Sequence, residues 1–134
     1  MVYKHIVMWK FKEQHNGKSA LENARWMKEQ LEALVGVVPE LLSAEVGISP
    51  ALEQAAAVPS DAAAAQSNAA AAQSNAAAAP APAASGEYDA CLVSAFASPE
   101  ALAAYKVHPK HKAISAYCKE ARVKRLAFDW WSEE

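Results

Sequence analysis

The chain has 134 residues, with 13 Lys and Arg against 15 Asp and Glu, a formal net charge of −2. That near-neutrality argues against nucleic-acid binding driven by phosphate neutralisation. No apolar run reaches the roughly 18 residues of a membrane-spanning helix. The opening Met-Val-Tyr-Lys-His-Ile-Val-Met-Trp-Lys sets lysines inside its apolar stretch, unlike a secretory signal. A cytoplasmic protein with neither nucleic-acid nor membrane partners is expected.

Residues 2–12 alternate as a strand does: Tyr3, His5, Val7, Trp9 and Phe11 share one face, and Lys4, Ile6, Met8 and Lys10 the other. Gln14-His15-Asn16-Gly17 breaks the pattern as a loop. Ser19-Ala20-Leu21-Glu22 is a capping box, in which hydroxyl and carboxylate each accept from the other residue's amide. Leu21, Ala24, Met27, Leu31 and Leu34 then form one helical stripe, and Gly36 supplies its stop. Leu42, Ala44, Val46 and Ile48 alternate with Ser43, Glu45 and Gly47, which predicts a second strand.

From about Pro50 to Ser85 the composition narrows to Ala, Pro, Ser and Gln, with AAAAQSN repeated in tandem. Such a tract has little to bury. Residues 1–134 are therefore expected to be a single domain interrupted at about 50–85. Only Glu53 and Asp61 are charged inside the interruption, so the remaining charges balance at 13 of each sign.

Order is expected to resume at Gly86. Tyr88, Ala90, Leu92, Ser94 and Phe96 alternate with Asp89, Cys91, Val93 and Ala95 as a third strand. Ser98-Pro99-Glu100 starts a helix with an N-cap, a proline at the first position and an early acid. That helix carries Leu102 and Tyr105. Pro109 then forces His108 out of helical geometry, and a further helix over about 109–122 packs Ile114, Tyr117, Cys118 and Ala121. Leu126, Phe128 and Trp130 alternate with Ala127, Asp129 and Trp131 in a last strand.

The order β-α-β-insert-β-α-β predicts an α+β, ferredoxin-like βαββαβ fold, a four-stranded antiparallel sheet with helices on one face. The other face is expected to carry aromatics such as Trp9 and Phe11. A single subunit would expose them, so a homodimer joined sheet to sheet into a barrel is expected. Cys91 and Cys118 lack metal-like spacing and read as buried thiols or a disulfide.

His5, Tyr105, His111 and Asp129 are the candidates for chemistry. A carboxylate beside an imidazole fixes its tautomer and supports general-base work. A nearby tyrosine hydroxyl donates to an oxyanion. The structural alternative is two satisfied core histidines and an Asp129 that caps a backbone donor. His108-Pro-Lys-His111 with His5 superficially resembles a metal set, but the proline spoils a regular helical presentation. No cofactor fingerprint occurs, so no cofactor is expected. Lys106, Lys110, Lys112, Lys119, Arg122, Lys124 and Arg125 form either a solvated face or an anion site.

Lys4-His5-Ile6-Val7-Met8-Trp9-Lys10-Phe11-Lys12, Glu45-Val46-Gly47-Ile48, and Ser98-Pro99-Glu100-Ala101-Leu102-Ala103-Ala104-Tyr105 followed by His108-Pro109-Lys110-His111 resemble one family. It is the stress-responsive A/B barrel family, a branch of the dimeric α+β-barrel superfamily. The resemblance spans 1–49 and 86–134; the insert departs from it. It implies a homodimer with a small-molecule cavity between sheet and helices. Most bacterial members have no assigned activity. Some plant members are polyketide cyclases that close an aldol ring through a Tyr and the second His of His-Pro-x-His. By position those roles fall on Tyr105 and His111, with Asp129 orienting the histidine and His5, Val7, Trp9 and His108 lining the cavity. The third-strand position matching Ala90, polar in some such members, is a methyl here. Either an aromatic or acidic molecule undergoes acid–base chemistry in this cavity, or the same residues only hold a ligand.

Overall fold

The computed structural model describes residues 1–57 and 87–133. The alternating start forms β1 (Val2–Phe11). A small hairpin of β2 (Gln14–His15) and β3 (Lys18–Ser19) follows, where the sequence suggested only a loop. Its turn residues Asn16 and Gly17 have φ of 57° and 75°, the positive pair that a two-residue hairpin turn demands. Helix α1 (Ala20–Glu32) starts at the expected capping box: the Ser19 hydroxyl accepts from the Glu22 amide at 3.1 Å, and the Glu22 carboxylate from the Ser19 amide at 2.9 Å.

Strand β4 (Ser43–Ile48) comes next. Helix α2 (Pro50–Ala57) lies within the stretch assigned to the insert, and its Leu52 packs against the core. The composition of that stretch hides this helix, although alanine is also the best helix former. The AAAAQSN repeats and Gly86 lie outside the described residues. Strand β5 (Ala90–Phe96), helices α3 (Pro99–Val107) and α4 (Pro109–Ala121), and β6 (Arg122–Ser132) complete the chain. Buried Asp89 ties β1, β4 and β5 together. Its carboxylate accepts from the Phe11 amide at 2.8 Å and its carbonyl from the Ser49 amide at 2.8 Å, while its own amide donates to the Trp9 carbonyl.

The main sheet has the order β4-β5-β1-β6, antiparallel throughout, with the helices on one side. This is the ferredoxin-like α+β fold. Val7, Val46, Leu92 and Phe96 pack there against Met27, Leu31, Leu102 and Ile114.

One expectation is corrected. Trp9 and Phe11 are 6% and 2% exposed and belong to the helix-covered core. The other face carries Ile6, Met8, Cys91, Val93, Leu126, Phe128 and Trp130, according to the strand register. Phe128 is 64% exposed. Alternation separates two sets of residues but does not say which set the helices choose.

Edge strand β4 is capped from α1. The Val46 amide donates to Glu32 at 2.8 Å and its carbonyl accepts from Lys28 Nζ at 2.7 Å, while Lys28 and Glu32 pair at 2.8 Å. The Lys28 bond, the Val46 amide and the Lys28 charge hold the Glu32 carboxyl below its ordinary range.

Candidate functional site

The register of β1 places His5 opposite Ser94 of β5 and Asp129 of β6, on the helix side of the sheet. The Ser94 hydroxyl donates to the His5 carbonyl at 3.0 Å and locks the backbone there. His5 is 3% exposed, and its Nδ1 lies 2.5 Å from Asp129 Oδ1. A carboxylate only accepts, so Nδ1 carries the proton and Nε2 keeps its lone pair. Burial pulls His5 below the ordinary imidazole value, and Asp129 offsets only part of that effect.

Tyr105 closes α3, where its ring packs 5.1 Å from Phe96 and 4.4 Å from the His111 ring. It is 1% exposed. Its hydroxyl has no hydrogen-bond partner among the described residues. Burial pushes the hydroxyl's pKa well up, so it stays a proton donor. An orphaned hydroxyl of this kind costs about 1–3 kcal/mol, which asks for an explanation.

His111 sits in the first turn of α4. The break at Pro109 swings it back so that Nδ1 lies 3.2 Å from the Lys106 carbonyl. A carbonyl also only accepts, so His111 too presents a bare Nε2. Burial lowers its pKa most, and the charges of His5, Lys106 and Arg125 add to this. Two neutral imidazoles and one neutral phenol are thus gathered between β1, β6 and the α3–α4 break.

One sequence expectation is corrected. Asp129 bonds His5 rather than orienting His111, because cross-strand pairing sets it directly opposite His5. His108 is a helix cap at the α3–α4 junction, with its Nδ1 accepting from the Lys110 amide at 3.1 Å. Val7 and Trp9 lie on the buried wall on the same face of β1 as His5. The roles of Ser94 and the Lys106 carbonyl have no sequence signal, since Ser94 donates to the backbone of another strand and Lys106 acts through its own backbone carbonyl. Among the described residues no three His, Cys, Asp or Glu side chains converge as a metal set, and Cys91 and Cys118 are free thiols. A separate open cleft of about 370 Å³ lies between α1 and α4, lined by Trp26, Gln30, Leu34, Val37, Lys110 and Ile114.

The histidines make a stability prediction. Their folded pKa values lie below the unfolded value of about 6.5. Below about pH 6.5 the unfolded chain therefore binds more protons, and stability falls with pH until the folded values are passed. Thermal melts between pH 7.5 and pH 5 should show that loss, and His5→Asn with His111→Asn should flatten it. An unchanged slope in the double variant contradicts this assignment.

The family model described as Stress responsive A/B Barrel Domain matches residues 3–65 and 53–132. No curated protein matches the chain. Among solved structures, a dimeric protein of unknown function and ferredoxin-like fold from Bacteroides fragilis is 20% identical, with a TM-score of 0.66 over 98% of this chain and 96% of that one. A dimeric ferredoxin-like protein of unknown function from Thermobifida fusca is 18% identical, with a TM-score of 0.61 over 98% and 92%. The hydroxynitrile lyase of Passiflora edulis is 13% identical, with a TM-score of 0.62 over 99% and 95%. At these identities the likeness is one of fold.

Proposed function

The chain belongs to the stress-responsive A/B barrel family, and from that premise we propose a homodimer that binds a small carbonyl compound and moves a proton on it with its own side chains. The observation that carries this reading is the fully buried hydroxyl of Tyr105, without a partner among the described residues, beside the His111 ring. A ligand carbonyl would satisfy that donor.

In this reading His111 Nε2 removes a proton from the carbon next to the carbonyl. Its depressed pKa keeps it unprotonated near neutral pH. The electrons move onto the carbonyl oxygen, which Tyr105 holds as an enolate. The enolate carbon attacks a second carbonyl and forms a C–C bond, and the proton on His111 passes to the new alkoxide. His5, held by Asp129, supplies the second neutral imidazole for a ligand hydroxyl. The hydroxynitrile lyase among the structural neighbours is in keeping with proton transfer coupled to C–C bond chemistry on this fold. The dimeric neighbours and the apolar sheet face support the homodimer.

A second reading, a binding protein without turnover, is favoured by one observation. His111 has a peptide carbonyl behind it rather than a carboxylate, which makes it the weaker base. The two readings separate in deuterated water. The catalytic reading expects accelerated exchange of the protons next to the carbonyl of 4-oxo-4-phenylbutanoate, lost in His111→Ala with fold and dimer retained. Binding of that probe without accelerated exchange supports the second reading.

A further inference from the structure

The cations of the C-terminal half sort into distinct environments. Lys124 Nζ is 2.5 Å from Glu87 and lies 4.8 Å from the Tyr88 ring centroid, so it is already occupied. Lys110 borders the cleft between α1 and α4. Lys106 and Arg125 differ from both. Lys106 directly follows Tyr105, and its carbonyl is the group that holds His111. Arg125 pairs with Trp9 across the β1–β6 ladder, four residue pairs along from His5 and Asp129, an even step that keeps it on their face of the sheet.

Both side chains are exposed, and neither forms a hydrogen bond or ion pair among the described residues. Yet the charge of each acts on both imidazoles, and Arg125 also feels Asp129. The acid that acts on His5 is Asp129, whose Oδ1 is engaged by that histidine, while His111 feels Lys106 and Arg125 without a carboxylate to offset them. With neutral histidines and a neutral phenol, two cations stand against one carboxylate. The site is left with a net positive rim and a neutral floor.

We propose that Lys106 and Arg125 form an anion-binding rim to the Tyr105–His111 site, and that the molecule it takes carries a carboxylate as well as a carbonyl. The inference rests on the functional reading above and narrows its substrate class. A guanidinium offers paired donors matched to a carboxylate, and an ammonium adds a point charge. Lys106 and Arg125 come from different elements, α3 and β6, so a ligand that bridges them must lie across the site. Solvent screening at an exposed rim keeps the gain modest. A preference of about tenfold is expected, far below what buried ion pairing gives.

The test uses two probes of one shape, 4-oxo-4-phenylbutanoate and its primary amide. Binding is read from the Nε2 resonances of His5 and His111 in the dimeric wild type and in Lys106→Gln with Arg125→Gln. In wild type the carboxylate should bind about tenfold more tightly than the amide, and in the double variant the two should bind alike. Arg125→Lys should keep most of the preference. Equal binding in wild type overturns the rim and leaves the site standing. A preference that survives in the double variant overturns the assignment to these two residues. If neither probe moves either resonance, the site itself falls, and the rim with it.

Discussion

Replacing Tyr105 by Phe should make the protein more stable while removing its function. The hydroxyl is fully buried and has no partner among the described residues, so its deletion relieves an unmet desolvation cost of about 1–3 kcal/mol. The ring contacts with Phe96 and His111 remain. At the scale of a domain of about 100 residues, each kcal/mol corresponds to about 4–8 °C in melting temperature. Ligand binding and proton exchange should fall together, because the donor that holds the carbonyl oxygen is gone. An ordinary core tyrosine behaves in the opposite way, since losing a satisfied hydroxyl destabilises. A melting temperature that drops in Tyr105→Phe therefore counts against a ligand site at this hydroxyl. Removing His111 alone tests the base; removing the Tyr105 hydroxyl tests the donor to the carbonyl oxygen.

The second large effect is expected at Phe128. Its ring stands 64% exposed on the sheet face away from the helices, near Ile6 and Trp130. In a two-fold dimer each substitution acts twice. Burying a Phe side chain contributes about 1.5–3 kcal/mol, so Phe128→Lys removes about 3–6 kcal/mol from the pair, and two buried ammonium groups oppose association further. The dimer constant should weaken by at least about a hundredfold. Analytical ultracentrifugation at micromolar concentration should show a monomer for the variant and a dimer for the wild type. Trp9→Phe, by contrast, should leave the dimer intact, because Trp9 lies on the other face under the helices. A dimer that survives Phe128→Lys places the interface elsewhere.

Local chemistry was legible in the chain, and long-range pairing was not. The Ser19 capping box, the Ser98-Pro99 start and the break at His108-Pro109 are decided within a few residues, so their patterns predict the elements that form. Which side of the sheet the helices take depends on every strand together. Trp9 and Phe11 therefore lie under the helices rather than on the open face. The partner of Asp129 depends on the register of β6 against β1, which joins residues 124 positions apart and shifts near Lys10 and Phe11. No local pattern encodes that register. The candidate residues His5, Tyr105 and His111 do gather, because alternation and a proline break place each one independently. Their surroundings follow from long-range register and the turn at Pro109: His5 meets the Asp129 carboxylate, and His111 the Lys106 carbonyl.

The capping of Val46 by Lys28 and Glu32 bears on how the molecule can grow. Strand addition without end needs two open edges on each copy, one to give and one to receive. Here the β4 edge is closed at its midpoint by α1, which leaves β6 as the other margin of the sheet. Copies that meet through β6 can pair once, about a two-fold axis, and then have nothing further to offer. A small protein with a broad greasy sheet is in this way steered from fibres toward a closed, countable assembly.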